Sequence, residues 1–406
     1  MKKVLCLVLT AMLLLAASAA SAATQLEMLC WMSEQQEGID AMVDAFNASQ
    51  KDIEVTVSYM SKSAYFEKLN IGLPAGSAPD IIALNVPSDI DYSKRGFLLD
   101  ISDLFESGAI DLSRYPEHTI AAHTIDGVLH GVPRDYDSIA VYYNKAIFDA
   151  AGEPYPTGDW TWDEFVEVAK RITRADEGIY GTCIASYPNS VVYDMVYSNG
   201  GMAFDENGQC VLNSDEAKDA LKKLSDVILV EHASPTIEEQ AEMSSGNRFL
   251  NGMAGMLFNG SWSMASYAEA LGDDLGVCAL PAMGEKPASI SHSLIWAIPA
   301  CSQNIDAAKT FLTYLATYES QAMTAATVIP AYEGTDALWV ENYAQYGAKV
   351  FTDMVSEGYA VSLPYSMKAS EETYSMIKSG FADVLATGDV GLLDALTEAV
   401  NAKIAE

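Results

Sequence analysis

The chain has 406 residues, half of them hydrophobic, with 23 lysines and arginines against 56 aspartates and glutamates and a formal net charge of −33. Nucleic acids and anionic lipid surfaces are therefore poor partners, because both present negative charge that needs a basic protein face. The acidic balance serves solubility and tolerates a cationic ligand.

In chain order, the first segment is a leader. Met1-Lys2-Lys3 is a positive head, Val4 to Ala17 an apolar run, and Ala20-Ser21-Ala22 a small-residue cleavage site. This reads as a secretory signal peptide over residues 1–22, too short for a membrane span. Its removal takes away Lys2 and Lys3 and leaves a net charge of −35. A lipid anchor needs a cysteine directly behind the apolar run, but Cys6 lies within it and Cys30 follows Glu27-Met28-Leu29. The mature protein is thus expected to be exported, periplasmic or extracellular, and not lipidated. About 384 of the 406 residues remain, more than one compact core usually holds, so two domains are expected. Five cysteines remain, an odd number without paired spacing, and read as small buried hydrophobes rather than disulfide partners. The five histidines form no zinc spacing, and no phosphate-binding glycine loop occurs. No cofactor and no metal are expected.

Leu26, Met28 and Cys30 alternate as in a strand, and Ser33-Glu34-Gln35-Gln36 opens a helix whose apolar face is Ile39, Met42, Val43 and Phe46. Ile53, Val55 and Val57 predict a second strand. Tyr65, Phe66, Leu69 and Leu73 predict a second helix, closed by Gly76, and Pro79 to Leu84 a third strand. Strand and helix in alternation imply a parallel sheet with right-handed crossovers. Ligands of such sheets bind beyond the carboxyl ends of the strands. That rule singles out Trp31, Ser33 and Glu34 after the first strand, and Asn85 to Asp89 after the third.

Val132, Ile139, Val141 and Tyr143 predict extended chain. Thr161-Trp162-Asp163-Glu164 is a capping box for a helix carrying Phe165, Val168, Ala169 and Ile172. Trp160 and Trp162 therefore read as packing residues. Farther on, Trp262 directly follows Asn259-Gly260-Ser261, which reads as a turn. A tryptophan displayed there either covers a loop or touches a ligand.

The order of these segments carries more than any one of them. Trp-x-Ser after the first strand is followed by "GSAPDIIAL", "YSKRGFLLDISDLF", "GVPRDYDSIAVYYNKAIFDAAG", "TWDEFVEVAKRIT", "YSNGGMAFDENG", "FLNGMAGMLFNGSW", "LPAMG" and "DAAKTFLTYLATYESQ". Over essentially the whole mature chain this resembles the family 1 extracellular solute-binding proteins of bacterial ABC importers, the maltose-binding type. The resemblance implies an α/β, type II periplasmic-binding-protein fold, with two lobes closing on a ligand cleft. It implies discontinuous lobes, 23–134 with 296–328 and 138–290 with 331–406, joined by crossings at 133–138, 289–296 and 328–333. It implies a monomer that captures a carbohydrate, without catalysis, and delivers it to a membrane permease with cytosolic ATPases.

On that template Trp262 matches the tryptophan of an Asn-Gly-x-Trp turn that stacks on a sugar ring. The chemistry fits, because a pyranose offers apolar C–H faces to an indole and a polar rim to carboxylates and amides. Trp31, Ser33, Glu34 and Asn85 fall at strand-end contact positions. Arg134, Asp135 and Asp137 lie on the first crossing, where an aspartate can accept hydroxyl hydrogens, and His292 and Trp296 lie on the second. Tyr187 and Tyr193 flank a loop that supplies ring contacts in relatives. The chain departs from the maltose binder at Asn85-Val86-Pro87-Ser88, where that protein carries acidic and basic residues.

Three other readings share some of these features. A secreted glycosidase would need two carboxyls, such as Asp135 and Glu34, at roughly 5 to 9.5 Å. A metal-importing relative would use adjacent tyrosines such as Tyr142-Tyr143, yet neighbours on a strand point to opposite faces. A polyamine binder of the same fold would use tryptophan walls and carboxylates.

Overall fold

Alternating aliphatic residues, bounded by glycine, proline and helix caps, build two main sheets, and Ser289–Ser291 pairs with Ala360–Ser362 in a small parallel ribbon of its own. The computed structural model describes residues 23–406 apart from 363, 366, 367 and 369, and the expected leader lies outside the described residues. Apart from the short hairpin Thr124–Ile125 with Val128–Leu129, the strands are β1 (Thr24–Cys30), β2 (Ile53–Tyr59), β3 (Ile81–Asn85), β4 (Gly131–Tyr136), β5 (Ile139–Asn144) and β6 (Tyr180–Thr182). They continue with β7 (Ala254–Gly260), β8 (Leu275–Cys278), β9 (Ser289–Ser291), β10 (Ser293–Ala297), β11 (Ile329–Pro330) and β12 (Ala360–Ser362).

The first lobe is built on a six-stranded sheet in the order β11-β4-β10-β3-β1-β2. Here β1 runs parallel to β2 and β3, whereas β10 is antiparallel to both β3 and β4. The parallel part arises as the alternation implied, through the helices Gln36–Ser49 and Lys62–Ala75. Ile39, Met42, Val43 and Phe46 are all buried on the first of these. The expected helix start at Ser33 is instead a separate 3-10 turn, Ser33–Gln35, with the α-helix beginning at Gln36. Gly76 closes the second helix in the left-handed region, at φ 69°, where glycine alone avoids a steric cost.

The second lobe is built on a four-stranded sheet in the order β8-β5-β7-β6. Thr161 and Glu164 form the predicted capping box, and Trp162 stacks on Phe165 in the core, with centroids 5.1 Å apart. The C-terminal helix Ser370–Thr387 packs on this lobe against helix Asp215–Leu229, and Leu392–Ala405 packs in turn on Ser370–Thr387.

β1 and β3 pair only at Met28–Ile81 and Leu29–Ile82, then diverge. The Tyr65 hydroxyl fills the gap, donating to the Ala83 carbonyl at 2.7 Å and accepting from the Ala83 amide at 3.0 Å. This satisfies buried backbone groups that the ladder leaves open. The splayed strand ends place Trp31 and Asn85 at the mouth between the lobes. Among the described residues no helix is long and apolar enough to cross a membrane. Cys30 is fully buried in β1, and burial pushes its thiol up to about 12.

Candidate functional site

Two chain crossings meet at the floor of the cleft. Asp137 links β4 to β5, and His292 links β9 to β10. The Asp137 amide donates to the His292 carbonyl at 3.0 Å, and the His292 amide donates to Asp137 Oδ1 at 3.1 Å. His292 Nδ1 lies 2.5 Å from the same oxygen. That contact fixes the ring and leaves Nε2 buried without a hydrogen-bond partner among the described residues. The ring sits edge-on to the indole of Trp262, with centroids 5.4 Å apart at 79°.

Trp262 reaches this position because of the residue two places before it. β7 runs through Gly260 and gives way to a 3-10 turn, Ser261–Ser263, two residues later than the predicted turn. The indole folds back over the Gly260 Cα so closely that a Cβ there would lie 1.9 Å from ring carbon Cζ3. The Gly260 carbonyl accepts the buried Tyr142 hydroxyl at 2.9 Å, which fixes the strand end beneath the ring. One side of the ring packs on the rim of the second lobe's core, and the rest faces the cleft.

Asp135, on β4, turns its carboxylate to the cleft edge. It accepts the Leu294 amide at 3.0 Å and pairs with Arg134. Burial pushes its carboxyl up to about 6, with Arg134 opposing the shift and Asp137 adding to it. Arg134 itself is 1% exposed. Its guanidinium is held by Asp135 and the Gln35 side chain, and sits 5.1 Å from the Trp296 ring centre.

The resulting cleft has a volume of about 500 Å³, within the range of small-molecule sites. It brings together Trp31, Ser33, Glu34, Asn85, Asp135, Asp137, Trp262 and His292 from the sequence-predicted set. Trp31 leans on Tyr65 and Phe66, at 4.7 and 5.3 Å between centroids, and still lines the cleft. Asn85 also caps helix Val86–Lys94, its Oδ1 accepting the Ser88 amide at 3.3 Å.

Four expected contacts fall elsewhere. Arg134 lies beneath the cleft, where it orients Asp135. Trp296 is 1% exposed and packs in the first lobe's core, because that sheet is covered on both faces. Tyr193 is buried in the second lobe's core, its ring edge-on to Phe381 at 5.8 Å. Tyr187 is 43% exposed outside this cleft, with Lys378 4.5 Å from its ring centre.

Gln35, Ser61, Lys62, Asn189 and Tyr365 also line the cleft. Ser61 and Lys62 follow β2, so the strand-end rule applied to the second strand points to them directly. Gln35 completes the 3-10 turn that carries Ser33 and Glu34. Asn189 sits in the helical turn Pro188–Val192, between the Tyr187 and Tyr193 to which the resemblance pointed, and Tyr365 arrives from a distant loop without a local signal. Lys62 opens onto the cleft, yet the protein crowded around it lowers its ammonium from the ordinary lysine value. Glu371 and Glu34 counter that desolvation, and Lys378 reinforces it.

Among the described residues no group of three or more histidine, cysteine, aspartate or glutamate side chains is placed to hold a metal ion. Tyr142 and Tyr143 belong to different core clusters on opposite faces of β5, so the two hydroxyls do not converge.

Residues 32–322 match the family model of the bacterial extracellular solute-binding proteins. The chain belongs to that family. Its members bind solutes and are not enzymes. This solute-binding protein is 26% identical over 321 residues to a lactose-binding protein of Rhizobium radiobacter, covering 75% of the chain and 73% of the relative. Its fold is similar to that of an ABC substrate-binding protein from Listeria monocytogenes in complex with cycloalternan. The TM-score is 0.86 at 23% identity, covering 94% of this chain and 99% of the other. It is also similar to a maltose-bound protein of T. maritima, with a TM-score of 0.79 at 23% identity, covering 93% and 99% of the two chains. At such identities these two likenesses speak for the two-lobed α/β fold alone.

Proposed function

We propose that this chain captures a carbohydrate between its two lobes outside the cytoplasm and hands it to the membrane permease of an ABC importer. The observation that carries this reading is the indole of Trp262, set at the edge of a cleft whose other groups are mostly polar. An indole covers the apolar C–H face of a pyranose, while Asp135, Asp137, Asn85 and Ser33 meet its hydroxyl rim. His292 Nε2, buried without a hydrogen-bond partner among the described residues, is matched by a sugar hydroxyl. The lactose-binding relative supports the same class of ligand.

Capture needs no bond chemistry. The lobes turn about the crossings at 133–138, 289–296 and 328–333, and ligand favours closure only by its greater affinity for the closed form. Export through the leader at 1–22 completes the proposal. A thermal-shift panel of saccharides, polyamines and ferric ion tests it. At about 100 times its dissociation constant a saccharide stabilises by about 2.7 kcal/mol, which is several degrees in Tm for a protein of this size. A shift with a polyamine or ferric ion, and none with any saccharide, would overturn the reading.

A further inference from the structure

The cleft does not end at the residues around Trp262. Past Lys62, Asn85, Asn189 and Tyr365 it continues into a second chamber of about 470 Å³. Lys62 enters this chamber from the first lobe, at the start of helix Lys62–Ala75, and Lys378 from the second, on helix Ser370–Thr387. Neither ammonium has an ion-pair partner among the described residues, Lys378 resting only on the Tyr187 ring, in a chain where acids outnumber bases by more than two to one. Glu371 is the one acidic residue among those lining the chamber, and the Ser88 hydroxyl occupies its Oε1 at 2.7 Å.

This placement is electrostatically adverse in three respects. Lys62 sits in the first turn of its helix, where the peptide dipoles already place positive charge. It is crowded by protein, and Lys378 lines the same chamber from the opposite lobe and adds to that cost, which Glu371 and Glu34 offset in part. Each of these is relieved by one negative charge lying between the two side chains. A neutral ligand relieves none of them, and a diamine worsens all three.

We infer that the saccharide carries an anionic substituent, a carboxylate or phosphate, which Lys62 and Lys378 hold from opposite lobes. The main cleft takes the sugar ring against Trp262, and the second chamber takes the charged group or the residue that bears it. Because the lysines come from different lobes, the anion also favours the closed form. The inference rests on the carbohydrate reading above and narrows it.

The test is calorimetric titration of the full mature chain with hexuronic acids, their oligomers and hexose phosphates, beside the neutral saccharides of the same stereochemistry and linkage. The acidic compounds should bind about tenfold or more tightly than the neutral ones. Their advantage should shrink as salt rises from about 50 to about 500 mM. Uronates and phosphates in separate arms identify which anion the chamber prefers. Lys62→Met and Lys378→Met should each remove most of the preference while the denaturant midpoint stays unchanged, and Lys62→Arg should keep part of it. If neutral saccharides bind as tightly as acidic ones, or if the lysine variants leave the preference intact, the inference fails and the carbohydrate reading stands. If no saccharide of either kind binds, both fail together.

Discussion

Replacing Gly260 by alanine adds one methyl group where the indole of Trp262 already lies. The backbone there, at φ −85° and ψ 165°, is open to any residue, so the substitution carries no dihedral strain. The new Cβ would sit 1.9, 2.2 and 2.3 Å from three indole carbons, against an ordinary contact of about 3.5–4.0 Å. The strand end has little freedom to retreat, because Gly260 is opposite Ile139 in the sheet and its carbonyl is held by Tyr142. The ring must therefore swing off its seat. Overpacking of this kind costs about 1–3 kcal/mol of stability. Losing the stacking platform costs about 2 kcal/mol or more of binding, roughly thirtyfold in Kd. Denaturant melts and calorimetric titrations of Gly260→Ala, Trp262→Ala and the double variant measure both effects. Once the indole is gone the methyl meets no ring, so the alanine should then cost less than about 0.5 kcal/mol, giving a coupling energy of about 1–3 kcal/mol. An alanine that costs the same with and without the indole, or that leaves saccharide affinity at the wild-type value, refutes the reasoning.

The lobes touch directly where Ser88 donates to Glu371 and the Ser370 hydroxyl donates to the Pro87 carbonyl at 2.9 Å. Ser88→Ala removes one such bond, worth about 1 kcal/mol, and should weaken binding about fivefold with an unchanged melt; unaltered affinity would show that the contact does not favour closure. Burial pushes the Asp194 carboxyl up to about 8, opposed by the Ile290 amide that it accepts and aided by Asp137. The folded state then binds this proton more tightly than the unfolded state, whose value is about 3.9, so the contribution of Asp194 is most favourable at low pH and falls as pH rises from about 4 through about 8. Asp135, pushed up to about 6, adds to the fall only between about pH 4 and 6. Asp194→Asn should flatten the slope between pH 6 and 8, and an identical slope would contradict the assignment. The five described cysteines are all free, so reductant should leave Tm unchanged; removing a native disulfide would instead cost roughly 2–5 kcal/mol.

What the sequence discloses depends on how local the physics is. The Thr161–Glu164 capping box and the buried face of helix Gln36–Ser49 are set by neighbours within a few residues, and both form as the spacing predicts. The strand-end rule found Ser33, Glu34 and Asn85, and it would have found Lys62 had it been applied to β2. It could not separate Trp262 from Trp296. In β10 both faces of the sheet are covered, so Ile295 and Trp296 are equally buried and alternation carries no information about which side meets ligand. Asn189 and Tyr187 are only two residues apart, yet one lines the cleft and the other does not. Helix Ser370–Thr387 bears on this difference, since Tyr374 donates to Asn189 Oδ1 at 2.9 Å and Lys378 covers the Tyr187 ring. That helix lies nearly two hundred positions away, and no local pattern encodes its approach.

The central claim is that a sugar ring lies on the indole of Trp262 between the lobes. A crystal structure grown with the saccharide that most raises Tm tests it most directly. The account predicts a pyranose with its C–H face about 4 Å from the indole and with ring hydroxyls on Asp135 or Asp137 and on His292 Nε2. A saccharide bound in the cleft with no ring on Trp262, or bound outside the cleft altogether, would contradict it.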